Sequence, residues 1–352
     1  MPTRNGVERS ARAVWPVVSL IVPLAILVAL TGSVGSVAYD RTVTEGLIKI
    51  VAVVGLYIFV GNSGILSLGH AAFMGIAAYV STWQTCCPRL KPITMSGLPD
   101  ALVSTTVPTL PASIIAGLLA AVAAFVIGLV LMRLSRIAIA IATMAVLFIF
   151  NVIYSNWDSV TQGTGSLVGL PMYVNPSVAF AWAAIAIVVA YLYQRSRFGL
   201  ALRTTRDDEV AASSVGISVY WQRLIAFTLS AFFLGIAGVL HGHYLGTIKV
   251  ATFFLDLTFI TLAMLVVGGR NSLAGAVVGV VIVSTVVELM RRVEAGVTIG
   301  GAELNAPPGV QGVVLGLIMV AILVFRPEGL MMGREIPWPF TWRRKADERS
   351  AS

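Results

Sequence analysis

Residues 194–223 read QRSRFGLALRTTRDDEVAASSVGISVYWQR, the longest polar interruption between hydrophobic runs on both sides. We call this stretch the polar segment. Thr205 and Asp208 have the spacing of a capping box, in which side-chain oxygens accept hydrogen bonds from the free amides of a helix start. Gly216 supplies a left-handed stop. The pattern predicts a helix over 206–216, which is too short to span a bilayer.

The body of this predicted helix, VAASSV, consists almost entirely of small side chains. Asp207, Asp208 and Glu209 precede it in the first turn, where the helix dipole favours negative charge. Small side chains allow another protein surface to approach the backbone closely. Two interpretations therefore stand side by side: a docking helix for a partner protein, and a solvated loop helix that joins two membrane spans.

The composition around the polar segment decides the class of protein. Hydrophobic residues make up 57% of the chain and charged residues 11%, and the mean hydropathy is +0.90. Such a balance is typical of integral membrane proteins. Because each membrane crossing must satisfy its own backbone hydrogen bonds, the prediction is an all-α integral membrane protein.

Hydrophobic runs predict about ten transmembrane helices between residues 14 and 325, which form one transmembrane domain. Residues 1–13 are a polar tail, and the run over 14–38 is longer than the core of a signal peptide, so it is predicted to be an uncleaved first span. Residues 326–352 form a second polar tail. The other predicted spans are 47–60, 65–84, 110–132, 136–154, 178–193, 223–246, 256–268, 273–292 and 309–325.

Basic residues predict the orientation of these spans, because they are enriched on the cytoplasmic side. With the N-terminus in the cytoplasm, that side receives most of them, and both termini and the polar segment are cytoplasmic. The opposite side receives Arg41, Lys49, Arg89, Lys91, Lys249, Arg291 and Arg292. The net charge of +8 suits an anionic inner leaflet and does not indicate nucleic-acid binding.

Two glycine-rich turns lie between apolar runs. Residues 61–70, GNSGILSLGH, form the first break, and residues 268–275, GGRNSLAG, form the second break. Such turns allow a discontinuous helix that lines a transport path, while close helix packing is the competing explanation. For His70, helix capping or a satisfied polar contact is favoured over ligand contact. The candidate path residues are Gly61, Asn62, Gly64, Ser67, Gly69, His70, Phe73, Gly268, Gly269, Ser272 and Gly275.

Four motifs in order carry a resemblance to a known family. They are GNSGILSLGHAAFMGIAAY at 61–79, TQGTGSLVGLP at 161–171, SRFGLALRTTRDDEVAASSVGI at 196–217 and VVGGRNSLAGAVVG at 266–279. Over 46–325 the chain resembles the LivM-like permeases of bacterial branched-chain amino acid ABC importers. The family usually has Gly-Gly-x-Gly-Ser where this chain reads GGRNS at 268–272, and often an acidic residue at the position of Ser213.

The resemblance implies that 206–216 is a coupling helix that docks on a cytoplasmic ATPase. It also implies a second homologous permease, two ATPase subunits and a periplasmic binding protein as partners in the inner membrane. The chain has no G-x-x-x-x-G-K-[ST] phosphate loop, so ATP is expected on the partners and no cofactor on this chain. The implied coupling residues are Arg203, Arg206, Asp207, Asp208, Glu209, Ala211, Ala212 and Gly216.

The implied function is import of branched-chain or related amino acids, with urea, amides, sugars or another small polar solute as alternatives that composition does not separate. An ion-coupled secondary transporter is disfavoured because ionisable groups lie near the ends of the spans, and a channel needs no docking helix. No Ser-His-Asp or paired-carboxylate pattern supports an enzyme. No metal site is predicted, since His241 and His243 are two apart on a helix. Adjacent Cys86 and Cys87 predict free thiols or an intermolecular link.

Overall fold

The computed structural model describes residues 4–86, 89, 91–294, 297–299, 302–304, 307, 309–326 and 328–337. Nearly all of the regular structure is helical, so the predicted all-α fold is confirmed. The α-helices α1 to α15 are Arg4–Val34, Val37–Ser63, His70–Thr85, Lys91–Thr94, Asp100–Ser104, Thr109–Leu131, Arg136–Ser155, Asp158–Thr161, Pro176–Arg195, Arg197–Asp207, Glu209–Ser214, Val219–Leu245, Leu255–Gly268, Leu273–Glu294 and Val310–Phe325.

Eight helical segments in the described part of the chain are long and apolar enough to cross a membrane. The predicted spans at 65–84 and 309–325 appear as shorter apolar helices, α3 and α15, of 16 residues each. The first is shortened because Gly64 has a left-handed φ of 71° and ends the preceding helix. The predicted number of ten spans is therefore approximate.

Helix α2 is much longer than the predicted span at 47–60. It begins at Val37 and runs for 27 residues. Lys49 lies inside the predicted span, and Glu45 lies one turn before it and pairs with it at 2.6 Å. This pairing lets the helix continue through them, since a charge in an apolar environment is tolerated when it is paired.

The centre of the bundle is α12, which packs against α2, α3 and α6, while α3 also packs against α6. Close approach depends on small residues. A Cβ at Gly55 of α2 would lie 2.9 Å from Phe233 Cβ on α12, and one at Gly238 of α12 would collide with the Met74 carbonyl of α3. The outer face of α6 instead exposes Leu118, Val122, Val126 and Val130, as expected for a face turned to lipid.

Two small antiparallel sheets lie outside the helices. Strand β1, Leu167–Val168, pairs with β2, Thr247–Ile248, and so joins the 161–171 motif to the end of α12. Strand β3, Val297–Ile299, pairs with β4, Ala302–Leu304. A 3₁₀ turn at Val250–Phe253 precedes α13.

Contacts along α2 show which residues lie at each end of the bundle. Helix α2 runs between them: its last turn contacts Arg206 of the polar segment through the Gly61 carbonyl, and its first half shares a cavity with Arg292 of α14. Arg291 and Arg292 therefore lie at the end opposite the polar segment, as predicted. At the polar-segment end, Trp15 of α1 donates to the Pro337 carbonyl at 3.1 Å, so early and late parts of the chain meet there.

Candidate functional site

The polar segment folds as two short helices that meet at Asp208. The carboxylate of Asp208 accepts from the backbone N–H groups of Val210 at 2.8 Å and Ala211 at 3.0 Å, so Asp208 caps α11. The prediction that Thr205 is the cap is wrong. Its hydroxyl donates to the Leu202 carbonyl at 2.7 Å inside α10. The predicted single helix over 206–216 is corrected to the end of α10 followed by α11.

Helix α10 continues past Thr205 because its last carbonyls have a donor from another helix. Arg136, the first residue of α7, donates through Nη2 to the carbonyls of Thr205 at 2.5 Å and Arg206 at 2.9 Å. The end of α10 would otherwise leave these groups unsatisfied. The predicted stop at Gly216 is confirmed: its φ is +82° and the next residue, Ile217, donates to the Ala212 carbonyl.

Helix α11 has one exposed and one buried side. Val210 is 80% exposed and Val215 is 74% exposed, whereas Ala212 is only 3% exposed. Ala211 is also exposed. Ala212 packs inside this chain, whereas Val210, Ala211 and Val215 are accessible; the docking of this helix on an ATPase stays a prediction.

Glu209 fixes α11 to two other helices. Its Oε1 accepts from Arg136 Nε of α7 at 2.6 Å and from Arg223 Nη2 of α12. Burial would raise the pKa of Glu209, but the hydrogen bond from Arg136 and the charges of Arg223 and Arg136 hold the pKa below its ordinary value. The carboxylate thus stays charged at neutral pH and keeps both arginines in place.

Arg203 and Arg206 connect the polar segment to both glycine-rich breaks. Arg203 Nε donates to Asn62 Oδ1 in the first break at 2.8 Å. Arg206 Nη1 donates to the Gly61 carbonyl at 3.0 Å and to Asn271 Oδ1 in the second break at 3.2 Å. Three regions singled out from the sequence therefore meet at one place.

Two polar residues that were not predicted, Gln194 and Tyr57, take part in this contact. Arg203 also donates to Gln194 Oε1 at 3.0 Å, and Tyr57 OH donates to the same oxygen at 2.8 Å. Asn271 is the position at which the chain departs from the usual Gly-Gly-x-Gly-Ser pattern. That departure was the one feature of the sequence that could have indicated the contact with Arg206, because it replaces a glycine by a side chain that accepts a hydrogen bond.

The first break is filled by packing in this chain. Asn62, Ser67, His70 and Phe73 are all buried. His70 Nδ1 lies 2.9 Å from the Ser67 carbonyl and its Nε2 lies 2.6 Å from Thr261 Oγ1, so the predicted satisfied polar contact is confirmed. A Cβ at Gly69 would collide with the Thr143 carbonyl. Close packing accounts for these residues, and their part in a transport path stays a prediction.

The second break is closed by residues 328–337, which we call the C-terminal segment. Leu330 and Met331 donate to the carbonyls of Val267 and Gly268, each at 3.0 Å. The Glu335 carboxylate accepts from the first backbone N–H groups of α14, Leu273 at 2.9 Å and Ala274 at 3.1 Å. The interpretation of 326–352 as a plain tail is thus corrected for its first part; residues 338–352 lie outside the described residues.

The remaining sequence candidates lie elsewhere. His243 contacts Ser81 and the Pro171 carbonyl, whereas His241 packs on Phe253, so the two rings point to different faces as predicted. Within the described ranges, no group of three metal-ligating side chains is found. Cys86 is buried, and Cys87 lies outside the described residues, so the state of this pair stays a prediction.

Residues 38–323 match the model of the family described as the permease component of branched-chain amino acid transport systems. This match covers most of the chain. The chain belongs to this permease family. The permease match begins close to the start of α2 at Val37, earlier than the resemblance over 46–325 suggested. The chain is therefore a permease subunit of an ABC importer, a multi-pass membrane protein that transports and is not an enzyme.

Relatives of this permease differ in the cargo that their names give. The high-affinity branched-chain amino acid transport system permease protein LivM of Escherichia coli is 27% identical over 82% of this chain and 68% of its own length. The probable LivM of Methanocaldococcus jannaschii is 26% identical over 46% of this chain and 48% of its own. The xylose/arabinose import permease XylH of Sulfolobus acidocaldarius is 25% identical over 65% of this chain and 67% of its own.

Proposed function

We propose that this permease forms part of a translocation path for branched-chain amino acids. In this proposal it pairs with a second homologous permease, two cytoplasmic ATPase subunits bind and hydrolyse the ATP, and a periplasmic binding protein delivers the cargo. The observation that carries the proposal is the position of Arg206, which joins the polar segment to both breaks. A movement of the polar segment is thereby passed to α2 and α14.

The accessible surface of α11 is the proposed contact with the ATPase. Val210, Ala211 and Val215 offer a small apolar surface, while Glu209 on the other side is held by Arg136 and Arg223. Because Arg223 belongs to the first turns of α12, a rigid-body shift of α11 also pulls on that span. The segment therefore has both an exposed contact and fixed connections to the membrane helices.

Matched charge substitutions test the ATPase contact. Val210→Asp places a carboxylate on the proposed surface, whereas Ser213→Asp places one three residues later, at a position where the family often has an acidic residue. We expect Val210→Asp to remove cargo-stimulated ATPase activity in the reconstituted complex and Ser213→Asp to retain it. Equal activity in both variants would contradict the docking surface.

The cargo proposal rests on the family description and on the LivM relatives. A second candidate, import of a sugar or another small polar solute, is favoured by the match to XylH. Transport by the purified complex in proteoliposomes separates them, with labelled leucine, isoleucine, valine, urea and xylose as test solutes. We expect ATP-dependent uptake of the three amino acids. Uptake of xylose or urea alone would replace the amino-acid proposal.

We also propose that the polar segment and both termini face the cytoplasm of the cell whose inner membrane holds the complex. The excess of basic residues at that end and the contact between Trp15 and Pro337 support this orientation. Single cysteines at Ser214 and Thr298, in a background with Cys86 and Cys87 replaced by serine, test it. A membrane-impermeant maleimide added to intact cells should label only the cysteine at position 298.

A further inference from the structure

Two adjoining cavities lie at the end of the bundle opposite the polar segment. The larger, of about 360 Å³, lies between α1, α2 and α14. The smaller, of about 180 Å³, lies between α2 and α14. The two cavities are chambers of one cleft, because they share four wall residues: Thr42, Gly46, Ser284 and Glu288.

Gly46 is the residue that keeps this cleft open. It lies inside helix α2, and glycine is less favourable than alanine in a helix interior. Some helical glycines are explained by close neighbours, as Gly55 is by Phe233. A Cβ at Gly46, in contrast, would meet nothing within 4 Å. Packing does not require a glycine here, and its missing side chain leaves space in both chambers.

The two chambers have different chemistry. Aliphatic side chains such as Leu24, Leu47, Ile50 and Val280 line the larger chamber. The smaller chamber has Glu45, Lys49, Glu288 and Arg291 in its wall, so it presents charges of both signs.

These charges neutralise one another in the absence of a ligand. Lys49 pairs with Glu45 at 2.6 Å, and Glu288 pairs with Arg291 at 2.6 Å and Arg292 at 3.1 Å. Ser284 lies in the wall of both chambers, and its hydroxyl has no hydrogen-bond partner. A ligand with an apolar body and a doubly charged end would match this arrangement.

We infer that this cleft binds the transported amino acid. The branched side chain occupies the larger chamber, the ammonium group lies near Glu45 and Glu288, and the carboxylate lies near Lys49 and Arg291. This inference rests on the proposed function and assigns the cleft as the place where the permease binds its cargo. The cleft lies at the end opposite the proposed ATPase contact, and in the proposed function this is the side on which a binding protein releases cargo.

The alternatives fit this cleft less well. A sugar would place several hydroxyl groups in a chamber with aliphatic walls, and unpaired buried hydroxyls are costly. Urea is too small to use the larger chamber, which has the volume of a small-molecule pocket.

Filling the cleft is the direct test. Because a Cβ at Gly46 meets open space, Gly46→Leu should fold and occupy the chambers. Gly316→Leu on α15 is the matched control, since a Cβ there also meets nothing within 4 Å and Gly316 lines neither chamber. We expect Gly46→Leu to lower ATP-dependent leucine uptake at least tenfold at equal protein abundance, Gly46→Ala to have a smaller effect, and Gly316→Leu to have none.

The other outcomes separate the inference from the proposed function. If the wild-type complex imports leucine and Gly46→Leu imports it equally well, the cleft inference is overturned and the proposed function stands. Native mass spectrometry that finds a phospholipid lost from Gly46→Leu, with unchanged uptake, assigns the cleft to lipid and also overturns it. A wild-type complex that imports no branched-chain amino acid overturns both.

Discussion

The two glycine-rich breaks have similar sequences but are held by different means. Side chains from other helices hold the first: His70 reaches Thr261 of α13, and Leu68 donates to Thr143 of α7. The second is a tight backbone junction, since a Cβ at Gly268 would collide with the Gly275 carbonyl, and the C-terminal segment closes it. Glycine therefore serves two purposes: it admits a neighbouring backbone in one case and forms a helical hairpin in the other.

The largest expected effect comes from leucine at the two breaks. Gly69→Leu would drive its side chain into the backbone of α7, and Gly269→Leu would meet the Glu328 carbonyl of the C-terminal segment at 3.0 Å, at a φ of +116°. Overpacking costs about 1–3 kcal/mol or more when the neighbour cannot shift. We expect Gly69→Leu to lose more folded protein than Gly269→Leu, measured as the monodisperse fraction after solubilisation.

Gly312→Leu is the control, because a Cβ at Gly312 meets nothing within 4 Å. A greater loss of folded protein in Gly269→Leu than in Gly69→Leu would contradict this prediction. Normal abundance of Gly69→Leu with lost uptake would instead favour a transport path through the first break over packing.

Arg206→Ala should have the next largest effect, because it removes the side chain that contacts both breaks and leaves Arg203 as the contact with the first. Coupling between sites is typically about 1–3 kcal/mol, so we expect cargo-stimulated ATPase activity to fall on the order of fivefold or more while the complex stays assembled. Arg197→Ala, on the same helix α10, is the control. Unchanged stimulation in Arg206→Ala would show that Arg206 does not couple the polar segment to the breaks.

Glu335→Gln should affect the second break alone. The change removes the negative charge that accepts from Leu273 and Ala274 at the start of α14, and loss of such a cap costs about 1 kcal/mol. We expect a lower thermal midpoint of the purified protein and an unchanged first break. Glu328→Gln, in the same segment, provides the comparison; an equal shift in both variants would argue against capping.

Asn271→Gly should have the smallest effect. It restores the glycine that the family usually has and removes one of the two acceptors of Arg206 Nη1, a contact worth about 0.5–1.5 kcal/mol. Uptake should change less than about threefold, and combining Asn271→Gly with Arg206→Ala should add nothing to Arg206→Ala. Additive losses would mean that Asn271 acts through some other contact.

The sequence was most informative where local chemistry decides the structure. Hydropathy predicted the helical membrane fold, and Gly216 predicted the end of α11. The start of α2 was misplaced because Asp40, Arg41 and Glu45 interrupt the apolar run, although the helix continues through them and Glu45 pairs with Lys49 one turn on. The cap at Thr205 was misassigned because Arg136, from a distant part of the chain, satisfies the carbonyls that let α10 continue.

The contacts of Arg206 were beyond prediction from one sequence. Its acceptors lie 145 residues away at Gly61 and 65 residues away at Asn271. No local pattern links such positions, and each looked like an ordinary glycine-turn residue. Charge, periodicity and turn chemistry therefore located the three parts, whereas only packing of the bundle could bring them together.

The cap on α14 also fixes an order of events during synthesis. Glu335 follows Leu273 by 62 residues, so a ribosome adding about 5–20 residues per second needs roughly 3–12 s to make it after α14 has begun. Throughout that interval the first amides of α14 lack their carboxylate acceptor. The hairpin of α13 and α14 thus reaches its final form only when the last described residues have left the ribosome, and a chain that stops short of Glu335 would insert its helices without completing this junction.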